Sequence, residues 1–233
     1  MRLADEIVDT FHEFDQSEIL DRFGTEAYRA IDEKISLNPI LQSFQLTVNS
    51  YKIEKALIEA FLRSMEMDLY KKEYDSTEIK NYIGGSAEVV GLMCLRVFCE
   101  ANNKLFDELS HPARKLGSAF QKVNFLRDLQ SDYIDLGRNY FPSIKLDQWN
   151  VSSKLDVEKT IEEDFDEGLK GIKRLPRSSR LGVFASYVYY RSLFNKIKKA
   201  SPEMIFHQRI RVPNAGKAGL LAYLFLKHQL NLI

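Results

Sequence analysis

Apolar residues recur at intervals of three and four along almost the whole chain, and this spacing is the period of an α-helix. No stretch combines alternating polar and apolar residues with flanking turn signals, as a β-strand would. The pattern predicts helices over about residues 16–36, 40–72 (one helix or two), 77–101, 112–136, 156–174, 179–199 and 215–230. No repeat, low-complexity tract or flexible linker divides the chain. We therefore expect an all-α fold in which residues 1–233 form a single helical bundle.

A few residues suggest where helices begin and end. Asp75 and Glu78 have the spacing of a capping box. Pro112 is suited to the first turn of a helix, and Gly137 to the position just after one. A looser capping arrangement joins Ser153 and Asp156.

Charge and cysteine content exclude several classes of protein. The chain has 33 basic and 33 acidic residues, so no overall positive field predicts a nucleic-acid partner. Cys94 and Cys99 lack the spacing of a zinc site and any disulfide framework. We expect both to be reduced core residues in a cytoplasmic protein.

No uninterrupted apolar run approaches the ~20 residues of a membrane span. Acidic residues follow Met1 too soon for a signal peptide. These features predict a cytoplasmic protein, soluble or peripheral at a membrane. Residues 220–226 are apolar almost all round; a buried helix is favoured, and contact with lipid or a partner is the alternative.

Two Asp-x-x-x-Asp pairs, Asp5 with Asp9 and Asp128 with Asp132, carry the strongest chemical signal. Residues four apart lie on one face of a helix, roughly 6 Å apart along its axis. Two such carboxylates repel each other unless a cation intervenes, and Mg²⁺ takes carboxylate and phosphate oxygens. Two such faces across a bundle would hold a diphosphate and neutralise the charge that develops as it leaves.

The second pair belongs to a longer polar stripe. Gln121, Asn124, Asp128 and Asp132 share one helical face, while apolar neighbours such as Phe125 lie elsewhere. One aspartate pair alone is more often a solvated helix surface than a site. Two pairs, one of them in an ordered stripe, leave the functional and the solvated interpretations about equally favoured by the residues themselves.

Three groups of motifs resemble those of the squalene/phytoene synthase family. Segments 116–121 (LGSAFQ), 124–128 (NFLRD) and 137–142 (GRNYFP) resemble its second aspartate-rich signature. Arg2-x-x-Asp5-x-x-x-Asp9 resembles the first signature, and residues 82–91 (YIGGSAEVVG) are similar to a helix of small residues that begins with tyrosine. The likeness extends over essentially the whole chain.

The resemblance implies an isoprenoid synthase fold, a helical bundle with a central cavity and facing aspartate pairs near its mouth. Family members ionise one prenyl diphosphate with Mg²⁺, and the cation attacks a second to give a cyclopropylcarbinyl diphosphate. A second ionisation and rearrangement follow. Phytoene synthases then lose a proton, whereas squalene synthases reduce the cation with a nicotinamide cofactor.

The resemblance also implies roles for individual residues. Asp5, Asp9, Asp128 and Asp132 are expected to be catalytic and to bind metal. Tyr190 is expected to lie near the reacting centre, with a core aromatic as the alternative. The remaining matched positions are expected to contact substrate: Arg2, Tyr82, Ala87, Val90, Gly91, Gln121, Asn124, Arg127, Arg138, Tyr140 and Arg211.

Arg211 lies with Arg209 and Lys217 in a basic segment that matches the family's closing segment. Solvent-facing charge is an equally favoured interpretation of these three residues.

The expected reaction is phytoene synthesis from two geranylgeranyl diphosphates. The alternatives are squalene or dehydrosqualene synthesis from farnesyl diphosphate, and a non-catalytic scaffold on the same fold. Mg²⁺ is the implied cofactor, with Mn²⁺ possible. NADPH is disfavoured, weakly, because no glycine-rich nucleotide fingerprint follows a strand. The oligomeric state is left open.

The resemblance begins at Arg2, although family members usually carry a further N-terminal segment that contacts a diphosphate. From this difference we expect a bundle short of one wall, with apolar surface uncovered and an unusual environment around Asp5 and Asp9. We also expect this chain to be weakly active or inactive.

Overall fold

The computed structural model describes residues 1–141, 149–213 and Gly219, and within them the chain is helical without any β-strand. The α-helices are α1 (Arg2–Thr10), α2 (Gln16–Glu33), α3 (Pro39–Tyr51), α4 (Lys55–Tyr70), α5 (Ser76–Ile83), α6 (Val89–Phe98), α7 (Asn103–Ile134), α8 (Val151–Ile172), α9 (Arg177–Lys199) and α10 (Pro202–His207). A π-helical turn, Gly84–Glu88, joins α5 to α6. The all-α prediction is confirmed, whereas the helix predicted at 215–230 lies outside the described residues.

Capping residues set many of the helix ends. The Asp75–Glu78 capping box forms as predicted, since the Asp75 side chain accepts from the Thr77 and Glu78 amides. Asn38 caps α3 ahead of Pro39, and the range predicted at 40–72 is two helices because Lys52 adopts a left-handed φ of 54°. Gly137, with φ of 64°, follows the end of α7.

The prediction that Pro112 begins a helix is wrong. α7 starts nine residues earlier at Asn103, where the Asn102 side chain accepts from the Leu105 amide. Phe106 and Leu109 are buried, so the apolar stripe continues upstream of the proline. Pro112 instead lies inside α7, at a point where α8 comes so close that a Cβ on Gly171 would be 2.4 Å from its ring.

The helices enclose two main clusters of buried side chains. One lies among α1–α4 and α6 around Phe61 and Met65, and the other lies among α5, α7, α8 and α9 around Phe165 and Phe194. The π-helical turn packs against both α4 and α7. A Cβ on Gly85 would lie 2.5 Å from the Ala60 carbonyl oxygen, and this lack of room requires glycine there.

A buried aspartate fixes α8 against α7. Asp164 is 3% exposed, and its carboxylate accepts hydrogen bonds from Ser118, Lys115 and Lys122 at 2.7, 2.9 and 2.6 Å. These donors hold the pKa of Asp164 below its usual value even though burial acts to raise it. The carboxylate therefore stays charged, and all of its partners come from one face of α7.

The cysteine prediction is half wrong. Cys99 is buried as expected, but Cys94 is exposed and lies on the wall of a partly open cavity described below. Cys94 is exposed because it faces this cavity instead of packed neighbours among the described residues. Among the described residues, no helix has the length and apolar character needed to cross a membrane.

Candidate active site

A largely apolar cavity of about 640 Å³ lies between α6, α7, α8 and α9. Four residues predicted to contact substrate line it: Ala87, Val90, Gly91 and Gln121. The volume falls within the ~300–1,000 Å³ range of small-molecule sites. Small side chains on α6 and α9 leave the space open, so the cavity can take a hydrocarbon chain.

The polar stripe of α7 runs away from this cavity. Gln121 is part of the cavity wall, and Asn124, Asp128 and Asp132 follow at intervals of one helical turn. The Asn124 Oδ1 atom is buried and has no hydrogen-bond partner among the described residues. A buried amide oxygen without a donor is costly, so this atom is free to accept from a ligand or to bind a cation.

Asp128 is held by two arginines. Arg127 donates from Nε to both carboxylate oxygens at 3.0 and 3.1 Å, and Arg209 Nε lies 2.7 Å from Oδ1. The basic segment thus reaches the second aspartate pair through Arg209. Arg211 is exposed, its carbonyl accepts from Lys196 Nζ, and its predicted contact with substrate stays a prediction. Lys217 lies outside the described residues.

Asp132 has a strongly perturbed acidity. Burial, followed by the neighbouring charge of Asp128, raises the pKa of Asp132 to about 7, and the charges of Asp9 and Asp68 act in the same direction. The carboxylate of Asp132 on α7 is therefore affected by the charge of Asp9 on α1. Asp132 of the second pair and Asp9 of the first are thus close enough for their charges to interact, an arrangement that the family resemblance implied.

The first pair lies on the exposed face of α1. Asp9 Oδ1 is 3.4 Å from Arg138 Nη1. The pKa of Asp5 is raised by partial desolvation and by the neighbouring charges of Asp9 and Glu6. Arg2, the first residue of this helix, is exposed. Arg138 therefore links the loop after α7 to α1.

Sequence analysis missed a buried carboxylate on α4. Asp68 is 8% exposed and accepts hydrogen bonds from Tyr74 at 3.1 Å, Tyr82 at 2.7 Å and Tyr140 at 3.2 Å. Burial raises the pKa of Asp68 to about 6, despite the opposing effect of Arg138. Tyr82 and Tyr140, both predicted to contact substrate, are buried with their hydroxyls on this carboxylate.

A signal for Asp68 exists in the sequence. Ile58, Phe61 and Met65 are buried at spacings of three and four, and Asp68 occupies the next position of the same stripe. An acidic residue on an apolar face is expected to be paired or functional.

Tyr190 stacks on Phe120 with ring centroids 4.1 Å apart. Phe120 is part of the cavity wall, so Tyr190 lies behind the Phe120 ring as seen from the cavity. The tyrosine is also close enough to Arg127 to affect the pKa of that guanidinium. Its position suits both a packing role and a role near the reacting atoms.

The donor set fits a magnesium–diphosphate group. In the part of the chain that the structure describes, no three His, Cys, Asp or Glu residues converge as a ready-made metal site. Mg²⁺ commonly binds one or two carboxylates and takes its remaining ligands from phosphate and water. The aspartate pairs and the unpartnered Asn124 oxygen are donors of that kind, and the raised pKa of Asp132 marks negative charge in need of a cation.

Comparison with known proteins agrees with this geometry. The profile that describes squalene/phytoene synthases matches residues 1–215 of the 233 in the chain. The chain belongs to the squalene/phytoene synthase family. The match includes both aspartate pairs and the cavity wall, so the family assignment covers the whole candidate site.

The curated proteins that are similar to this chain include phytoene synthases. The chain is 28% identical over 200 residues to phytoene synthase 1 of Solanum lycopersicum, covering 78% of this chain and 48% of that protein. It is 26% identical over 223 residues to the 15-cis-phytoene synthase of Synechocystis sp., covering 85% of this chain and 63% of that protein. The chain thus spans less than two thirds of the length of these relatives.

Solved structures show the same fold. A dehydrosqualene synthase in complex with ligand superposes with a TM-score of 0.79 at 20% identity, covering 97% of this chain and 83% of that one. The squalene synthase HpnC from Alicyclobacillus acidocaldarius gives a TM-score of 0.65 at 19% identity, covering 97% and 79%. The fold is therefore that of the isoprenoid synthases.

Proposed function

We propose that this family member is a phytoene synthase that joins two geranylgeranyl diphosphates head to head in a Mg²⁺-dependent reaction. One arrangement carries the proposal: two aspartate pairs face a common space, and the polar stripe of α7 connects that space to an apolar cavity. Diphosphate groups fit the first environment and prenyl chains the second. The names of the curated relatives support the choice of phytoene as product.

The chain's own residues account for binding and orientation. Asp5, Asp9, Asp128 and Asp132, with Asn124, would hold Mg²⁺, which when bound supplies positive charge to the departing diphosphate. Arg138, Arg127 and Arg2 would contact diphosphate oxygens. The apolar wall around Val90 and Gly91 holds the prenyl chains apart from water, which would otherwise quench an allylic cation.

Asp128 would exchange partners during binding. In the described structure its carboxylate is fully engaged by Arg127 and Arg209. A metal-bound diphosphate would draw these arginines onto phosphate oxygens and release the carboxylate for the cation. Arginine is suited to both states because its planar fork fits carboxylate and phosphate alike.

Product analysis tests the proposal. The purified protein is incubated with geranylgeranyl or farnesyl diphosphate and Mg²⁺, with and without reduced nicotinamide cofactor, and the extracted lipids are identified by mass spectrometry. We expect a C40 phytoene, formed slowly, that requires Mg²⁺ and no reductant. A C30 product alone would establish the farnesyl alternative.

Absence of product from either substrate, in a folded protein that nevertheless binds pyrophosphate, would favour a non-catalytic role. Manganese in place of magnesium serves as a further test of the metal, since both ions take oxygen ligands.

A further inference from the structure

The buried carboxylate of Asp68 has an unusual set of partners. Both of its oxygens are used, and the donors are three tyrosine hydroxyls from two separate parts of the chain. The three rings pack on one another, with centroids 5.2 to 5.4 Å apart. Tyr140 lies beyond the end of α7, so its hydrogen bond to Asp68 links two residues that are 72 positions apart in the sequence.

The same short stretch of chain makes two more bonds to the end of α4. Arg138 Nη2 donates to the Asp68 carbonyl oxygen at 2.9 Å, and the Asn139 amide donates to the Lys72 carbonyl at 2.8 Å. Residues 138–140 are thus fixed to the segment 68–72 by three successive bonds. This stretch follows the second aspartate pair, and the main-chain carbonyl oxygen of Asp132, the last member of that pair, accepts from the Arg138 amide at 2.7 Å.

The result is a buried arginine between the two aspartate pairs. The Arg138 side chain is 10% exposed, and its Nη1 atom is 3.4 Å from Asp9. A guanidinium so far from water needs compensating negative charge; burial acts to lower the pKa of Arg138, but the charges of Asp68 and Asp9 raise it overall. Asp68 therefore contributes to Arg138 both a hydrogen-bond anchor and an opposite charge.

An ionised carboxylate can only accept hydrogen bonds, so each tyrosine must direct its single proton towards Asp68. An asparagine in this position would have nearly the same shape, but its amide nitrogen would face hydroxyl donors. At least one tyrosine would then have to turn, and Arg138 would lose its buried counter-charge.

We propose that Asp68 is a positioning residue for the reaction: through Tyr140 and the main chain it fixes Arg138 between the aspartate pairs, where Arg138 binds a diphosphate group. The proposal rests on the function proposed above for the reaction itself. The fixing of residues 138–140 does not depend on that function.

The test compares Asp68→Asn with Asp164→Asn. Asp164 is a matched control because it is also a buried carboxylate with three donors, but it joins α7 to α8 and none of those donors is a residue of the site. Both variants are checked for folding by circular dichroism. Tyr74→Phe, which removes one donor and keeps the carboxylate, replaces Asp68→Asn in the comparison if that variant does not fold.

Hydrogen–deuterium exchange gives the readout that is independent of catalysis. We expect faster exchange at residues 138–141 in Asp68→Asn and unchanged exchange there in Asp164→Asn. Unchanged exchange in Asp68→Asn would overturn the proposal, whatever the protein catalyses.

Kinetics give the second readout. We expect kcat with the prenyl diphosphate to fall on the order of 10²-fold in Asp68→Asn, as for misplaced catalytic groups, and to be retained in Asp164→Asn. Combining Asp68→Asn with Arg138→Lys should lower kcat little further than Arg138→Lys alone, because both changes affect one guanidinium.

Two further outcomes are decisive. Additive losses in the double variant, or an unchanged kcat in Asp68→Asn, would overturn the positioning role. A wild-type protein that makes no product, with exchange still faster in Asp68→Asn, would refute the proposed function while leaving the fixing of residues 138–140 intact.

Discussion

The metal site proposed above depends on single carboxylates at the end of the α7 stripe. We expect Asp128→Asn to lower kcat by on the order of 10²-fold or more, because the amide removes a charge that must balance Mg²⁺ and the leaving diphosphate. Asp107→Asn, an exposed change on the same helix, is the control and should leave kcat unchanged. Steady-state kinetics at saturating Mg²⁺ measure both. Equal activity of the two variants would argue that Asp128 serves only to pair with Arg127.

The acidity of Asp132 predicts a pH dependence. Its pKa is raised to about 7, so at pH 6 the folded protein holds a proton there that the unfolded chain has lost. This group therefore stabilises the metal-free fold less as the pH rises from 4 through 7. Metal binding requires the ionised form of Asp132, so the affinity for metal rises as the pH rises.

We expect the affinity for Mg²⁺ with inorganic pyrophosphate to be roughly tenfold weaker at pH 6 than at pH 8, because a proton must leave first. Isothermal titration calorimetry in buffers of different ionisation enthalpy measures the affinity and the proton release. Asp132→Asn should show a flatter dependence on pH. An affinity independent of pH in the wild type would place Asp132 outside the metal site.

The sequence identified the two aspartate pairs because helical spacing alone places each pair on one face, and the family resemblance added four residues of the cavity wall, Ala87, Val90, Gly91 and Gln121. It gave no sign that Tyr82 and Tyr140 share a partner, since Asp68 lies on another helix and only the folded chain brings the three together. It also could not distinguish Arg209 from Arg211. Which of the two meets Asp128 depends on how the chain leaves α10, beyond any periodic pattern.

Among the helices, two glycines that line the cavity should respond oppositely to alanine. A Cβ on Gly117 of α7 would lie 2.6 Å from the Ala87 carbonyl oxygen, whereas a Cβ on Gly182 of α9 would meet nothing within 4 Å. We expect Gly117→Ala to destabilise the protein by about 1–3 kcal/mol and Gly182→Ala to stabilise it by about 0.5–1 kcal/mol. Urea denaturation followed by circular dichroism measures both. Similar effects of the two changes would mean that α7 and the π-helical turn can move apart freely.

The open space beside Gly182 also allows a test of chain length. Gly182 lines the cavity, so Gly182→Phe should fill part of it without displacing backbone. We expect kcat/KM for geranylgeranyl diphosphate to fall more than that for farnesyl diphosphate, with Gly182→Ala as the control. A parallel loss with both substrates would indicate that the prenyl chains lie elsewhere.

Helix positions were predictable where caps and apolar stripes agreed, as at Asp75. They were not where tertiary packing outweighed local preference. Pro112 disfavours the interior of a helix by roughly 3 kcal/mol, yet α7 continues through it because Phe106, Leu109 and Leu116 are buried on the same helix. The cavity itself was predicted only by family resemblance, because a cavity between four helices produces no periodic pattern in the sequence.

For the molecule as a whole, the candidate site brings together α1, α4 and α7 with the loop that follows α7, so a ligand there should stabilise the entire bundle. The charges of Asp9 and Asp128 raise the pKa of Asp132, and within the described residues Arg138 lies beside these carboxylates, 3.4 Å from Asp9. A ligand that binds only the folded state adds about 2.7 kcal/mol at 100 times its dissociation constant. For a protein of this size that corresponds to a rise in Tm of roughly 5–10 °C.

We therefore expect Mg²⁺ with inorganic pyrophosphate to raise the Tm of the wild-type chain by this amount, and either one alone to raise it much less, since each supplies ligands for the other. Differential scanning fluorimetry measures the shift, with Asp107→Asn as the control and Asp128→Asn as the variant that should lose it. A shift with pyrophosphate alone would point to the arginines as the binding groups. Retention of the full shift in Asp128→Asn would place the metal away from the second aspartate pair and undo the link between that pair and diphosphate.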